Sequence, residues 1–115
     1  MKNNPKFPND SNGEVLRILW EHGDDLSKAR EFDFGVAFEN EDLALDFAVA
    51  LLRHEMKVSF SPAQEGDNVC EVDCHPVMIP DHAEISDFES SLAEMADKYG
   101  GKLSGWDCIV IKSSD

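Results

Sequence analysis

From Phe32 to Phe38 the chain alternates strictly: Phe32, Phe34, Val36 and Phe38 are large and apolar, and Asp33, Gly35 and Ala37 between them are small or polar. A period of two predicts a strand with one buried face and one small or polar face. Val58 and Phe60 alternate with Lys57, Ser59 and Ser61 in a second strand that Pro62 ends. After the turn-like stretch Gln64 to Asn68, Val69 to Val77 reads as a third strand. Lys102 to Ile111 reads as the last, with a bulge or bend expected at Gly105-Trp106.

Elsewhere the period changes to that of a helix. Ser11-Asn12-Gly13-Glu14 has the form of a capping box, and Val15, Leu16, Leu19 and Trp20 follow at helical spacing until Gly23. Asn40 is placed to cap a second helix with the stripe Leu43, Phe47, Leu51 and His54, and Asp42, Asp46 and Arg53 outside it. Asp81-His82-Ala83-Glu84 opens a third, whose stripe Ile85, Phe88, Leu92, Met95 and Tyr99 steps by three and four until Gly100-Gly101. Phe34, Val36, Phe47, Phe88 and Leu92 are the expected core.

The order is one short helix, then β-α-β-β-α-β. It predicts an α+β, ferredoxin-like split β-α-β-β-α-β sandwich with an additional short N-terminal helix. Two helices should cover one face of an antiparallel sheet in strand order 4-1-3-2. The other sheet face is either open or covered by the first helix. Residues 1–10 are expected to be a flexible N-terminus, 11–112 a single domain and 113–115 a C-terminal tail.

Composition adds a sign. The 115 residues hold 24 Asp or Glu against 10 Lys or Arg, a formal charge of −14. From Val58 to Asp97 there is no Lys or Arg at all. Such a field repels phosphate backbones and anionic lipid and attracts basic protein surfaces or cations, so neither nucleic acid nor membrane is an expected partner. The 42% hydrophobic content is enough for a real core. Three cysteines without scaffold spacing, and an N-terminus without an apolar stretch, point to reduced thiols and a cytoplasmic location.

Residues suited to metal or nucleophilic chemistry are few. On a strand, Cys70 and Cys74 share a face but lie roughly 13 Å apart, and His75 faces the other way. No single zinc or disulfide spans that distance. No metal, cofactor or catalytic residue is expected. Glu71 and Asp73 share a strand face, with Asp33 or Asp107 on neighbouring strands, which suits Mg²⁺, acid–base chemistry or simply a solvated acidic face. An RNA-recognition reading lacks its parts, because the aromatics of the first strand share the face that must meet the helices and the other face is acidic.

Two phrases carry a family resemblance. Gly23-Asp24-Asp25-Leu26-Ser27 resembles the Gly-Asp-Asp-Leu-Ser phrase of many RraB-domain proteins. Asp67 to Met78, the helix Asp81 to Tyr99 and Gly101-Lys102-Leu103-Ser104-Gly105-Trp106 resemble the second half of the same family, the regulators of ribonuclease E activity B. Asp107 follows Gly105-Trp106, where the best-known members carry Gly.

The resemblance implies a non-enzymatic, acidic protein-binding regulator that inhibits ribonuclease E, with that nuclease or another basic RNA-processing protein as partner. Candidate partner-binding residues are Asp24 and Asp25, Glu71 and Asp73, Glu84, Asp87 and Glu94 on the last helix, and Trp106. Asp24 and Asp25 read equally well as a polar turn, and Trp106 as a core residue. The alternative function is a small-molecule or cation-binding sensor on the same fold. An acylphosphatase-type enzyme ranks third, because Phe38-Glu39-Asn40-Glu41-Asp42 is acidic where such an enzyme needs an Arg.

Overall fold

The computed structural model describes residues 6–64, 66 and 68–112. The start of the N-terminal stretch, the tail 113–115 and positions 65 and 67 of the turn before the third strand lie outside the described residues. In chain order the elements are α1 Ser11–Glu21, β1 Arg30–Phe38, α2 Glu41–Arg53, β2 Val58–Ser61, β3 Cys70–Cys74, β4 Val77–Met78, α3 His82–Asp97 and β5 Lys102–Cys108. The fold is the expected α+β sandwich, with every strand pair antiparallel.

Each helix begins at a side-chain oxygen that accepts an otherwise unpaired N–H of the first turn. Asn40 accepts from Leu43 and Asp81 from Glu84, as their positions suggest. The first cap differs from expectation. Asp10, not Ser11, caps α1, accepting from Gly13 N–H at 2.8 Å. Its carboxylate also meets His82 Nε2 at 2.8 Å, tying the start of α1 to the start of α3. Glu14 turns outward to Arg17 instead of closing a box.

β1 is the centre of the sheet, flanked by β3 and β5, with β2 outside β3. The expected third strand is interrupted. Pairing stops after Cys74 and resumes at Val77–Met78 against Glu31 and Arg30, which makes five strands instead of four. Pro76 explains the break: it has no N–H to give, although its carbonyl still accepts from Phe32 N–H at 2.8 Å. β5 also ends earlier than Ile111. Beyond it the chain is held by side chains and backbone together: Ile109 O accepts from Arg30, Ile111 N–H donates to Asp24, and Asp25 N–H donates to Ile111 O at 2.7 Å in an isolated bridge of Asp24 with Lys112.

The inward side chains of β1, Phe32, Phe34, Val36 and Phe38, are all buried. α2 lays Ala44, Phe47, Ala48 and Leu51 on them, so its buried stripe is rotated from the expected one and Leu43 and His54 are exposed. Small Ala44 and Ala48 let the helix come close to the sheet, which decides the rotation. From α3, Ile85, Leu92 and Ala96 are buried. Phe88 is only half-buried, its ring tilted against Phe34 at 4.7 Å. α1 packs beside α3, where Asn12 Nδ2 donates to Ser86 and Glu89 and its Oδ1 accepts from Trp106 Nε1. The first helix thus joins the helical side, and the opposite sheet face stays open.

Candidate functional site: the open acidic sheet face

The polar half of the strand pattern builds this face. Asp33 of β1 stands opposite Asp107 of β5, and Gly35 stands opposite Asp73 of β3. Asp33, Glu71, Asp73 and Asp107, with Ser104 and the glycines Gly35 and Gly105, line a shallow concavity of about 290 Å³. No Lys or Arg is among the lining residues.

Two glycines make the convergence possible. A Cβ on Gly35 would stand 2.5 Å from both Glu71 Oε1 and Ser104 Oγ, so a side chain at the centre would push the polar groups apart. Between β1 and β5 the register slips by one residue, because Gly35 faces Gly105 while Val36 faces Leu103. Ser104 is the extra residue of this bulge. Gly105 has φ 134°, a conformation that side chains disfavour. The bulge lets Ser104 Oγ donate to Glu71 Oε1 at 2.5 Å.

The electrostatics follow from crowding. Burial, then the neighbouring Glu71, raises the carboxyl of Asp73 above its ordinary range. Burial and the facing Asp33 do the same for Asp107. Like charges held together and partly desolvated favour protonation, or a cation-bearing partner, over a bare anionic cluster.

At the edge of the face, His75 Nδ1 meets Asp33 Oδ1 at 2.6 Å and His75 Nε2 meets Ser59 Oγ at 2.7 Å. Serine, imidazole and carboxylate stand here in the order of a hydrolytic triad. The surroundings oppose that chemistry. A tetrahedral oxyanion needs converging donors, and the nearby concavity presents the carboxylates of Glu71 and Asp73. Glu31, Asp33 and His75 also bring ligand-type atoms within 4.8 Å of one another. Lys57 already pairs with Glu31 at 3.1 Å.

The other candidate residues fall apart in space and role. Glu84, Asp87 and Glu94 are exposed on α3, on the helical side of the sandwich. Asp24 is not a surface acid: it is 5% exposed, and its Oδ2 holds Arg30 at 2.6 Å. Asp25 accepts from Ser27 N–H and Oγ in a local turn, at 3.1 and 2.6 Å. Trp106 points inward, tilted against Phe32 at 5.5 Å and stacked on Phe34 at 6.1 Å, and its indole N–H is taken by Asn12. Asp24 is thus held inside the fold and Asp25 and Trp106 are half-buried, while acids of both the sheet face and α3 reach solvent.

The three thiols lie apart from this face. Cys70 and Cys74 are buried, and burial pushes the Cys74 thiol up to about 11, well away from a reactive thiolate.

Fold and face together define a class: a small, acidic, antiparallel α+β sandwich with helices on one side and converging carboxylates on the other. The family model of regulator of ribonuclease activity B, RraB, matches residues 9–108, and the chain belongs to the RraB family. Membership gives it a regulatory role toward ribonuclease activity. The comparison with curated proteins finds no match. Among the described residues no helix is long and apolar enough to cross a membrane.

Proposed function

We propose that this protein is a non-catalytic inhibitor of a ribonuclease E-type endonuclease, acting in the cytoplasm by docking its open sheet face on a basic surface of the nuclease. The observation that carries this reading is the concavity lined by Asp33, Glu71, Asp73 and Asp107, with no Lys or Arg among its described lining residues. A partner's Arg or Lys entering it relieves the repulsion that raises Asp73 and Asp107, and an Arg fork can take two carboxylates at once. The same acidity repels RNA, so the substrate is not expected to compete by binding the inhibitor.

Titration of the protein into a ribonuclease E-type endonuclease cleaving a labelled RNA tests the reading. Cleavage should fall in step with formation of a protein–protein complex, with no protein retained on RNA alone. Undiminished cleavage at saturating protein, or inhibition that follows RNA binding, contradicts it.

A further inference from the structure

On the outer side of α2, Leu45, Val49 and Leu52 form a continuous apolar stripe, 43%, 45% and 56% exposed. They are spaced i, i+4 and i+7, so they lie along one line of the helix surface. This is a second stripe, separate from the buried one of Ala44, Phe47, Ala48 and Leu51. A single exposed leucine needs no explanation, but an aligned row on a helix otherwise rich in Asp, Glu and Arg marks a contact surface.

The charges beside the stripe say what fits it. Asp42 and Asp46 flank its N-terminal half and Arg53 flanks its C-terminal end, all exposed and all on the same side of the row. We propose that the occupant is a second copy of this chain, with the two α2 helices packed antiparallel about a twofold axis at Val49. That axis sets Leu45 against Leu52 of the other copy. It keeps the charged flank of one copy beside that of the other, so each Arg53 meets the other copy's Asp46 and Asp42 in an isologous contact. A parallel arrangement, with the twofold along the helices, would instead put the two charged flanks on opposite sides of the seam and leave each Arg53 without the other copy's Asp46 and Asp42.

The size of the contact fixes its strength. A helix of 13 residues is roughly 20 Å long at 1.5 Å per residue, so the seam falls below the ~800 Å² per partner of a standard stable interface. Each copy also carries a formal charge of −14, which opposes approach. The dimer is therefore a weak one, favoured by high protein concentration and by salt that screens the long-range repulsion. α2 lies across the sheet from the acidic concavity, so this association leaves that face free and is independent of the ribonuclease reading.

Sedimentation equilibrium of the full chain tests the proposal, run to about 0.5 mM in salt above physiological strength, a regime suited to small interfaces. The wild type should show reversible association to twice the chain mass. Val49→Glu should weaken it by at least about tenfold, because two unpaired carboxylates would face each other across the axis. Arg53→Glu should weaken it as well, and Asp46→Arg combined with Arg53→Glu should restore it. Circular dichroism checks that each variant stays folded, which the exposure of these positions favours. A chain that stays monomeric throughout overturns the proposal. So does a dimer that Val49→Glu leaves intact, or a charge exchange that fails to restore association.

Discussion

Arg30 and Asp24 meet at 2.6 Å with side chains 1% and 0% exposed, and this one pair ties the start of β1 to the chain beyond β5. Arg30 also donates to the carbonyls of Asp25, Lys28 and Ile109, and Asp24 accepts from Ile111 N–H. A guanidinium so enclosed must keep its carboxylate. Asp24→Ala should cost about 3–5 kcal/mol in denaturant unfolding, the usual penalty for stranding one partner of a buried pair. Asp24→Leu combined with Arg30→Met should cost less than either single change. Losses that simply add would mean the pair is not coupled.

The core ranks its aromatics by depth. Phe47 is fully buried between Phe38 and Tyr99, and Phe47→Ala should cost about 3–5 kcal/mol. Phe88 is half-buried against Phe34, and its truncation should cost clearly less. Urea titrations of the two variants compare them directly. An equal loss would place Phe88 deeper than the packing shows.

Asp73 and Asp107 make a prediction about pH. Their carboxyls are raised in the folded protein above 3.8, so the fold binds protons there that the unfolded chain does not. Their contribution to stability then grows as pH falls from neutral through the raised values toward 3.8, and is unfavourable while both are ionised. Asp73→Asn should therefore stabilise the protein at neutral pH, and the gain should vanish in acid. Unfolding midpoints of both proteins across that range check the sign. A variant less stable at neutral pH would mean that the Asp73 charge is well solvated or compensated.

Much of this was legible in the sequence, and the gaps have physical causes. Alternation at Phe32–Phe38 placed the buried face correctly, because a period of two leaves no other choice for four large apolar residues. Asn40 and Asp81 were readable as caps for the same local reason. The break at His75-Pro76 was also local and lay in the missing N–H of Pro76. What period alone does not show is tertiary choice. α2 carries two apolar rows, and only contact with the sheet through Ala44 and Ala48 decides which one is buried. Asp24 looks like a surface acid until Arg30, six residues on, is found enclosed beside it. Ser59 and His75 meet only because β2 pairs with β3, and the bulge that brings Ser104 to Glu71 depends on how β5 registers on β1. Glu71 and Asp73 were placed on one face by spacing, while Asp33 and Asp107 joined them through strand pairing.

Under the proposed function the open sheet face, rather than the exposed side of α3, meets the nuclease. Association rates with a ribonuclease E-type endonuclease, measured by stopped-flow over a range of salt, test it most directly for three proteins: the wild type, Glu71→Lys with Asp73→Lys, and Asp87→Lys with Glu94→Lys. Steered association falls steeply as salt shortens the screening length, and long-range charge raises such rates by roughly 10 to 10³-fold. The sheet-face variant should lose at least about tenfold of the on-rate and most of its salt dependence, while the α3 variant stays close to wild type. Binding insensitive to salt, or a loss confined to the α3 variant, would contradict the claim.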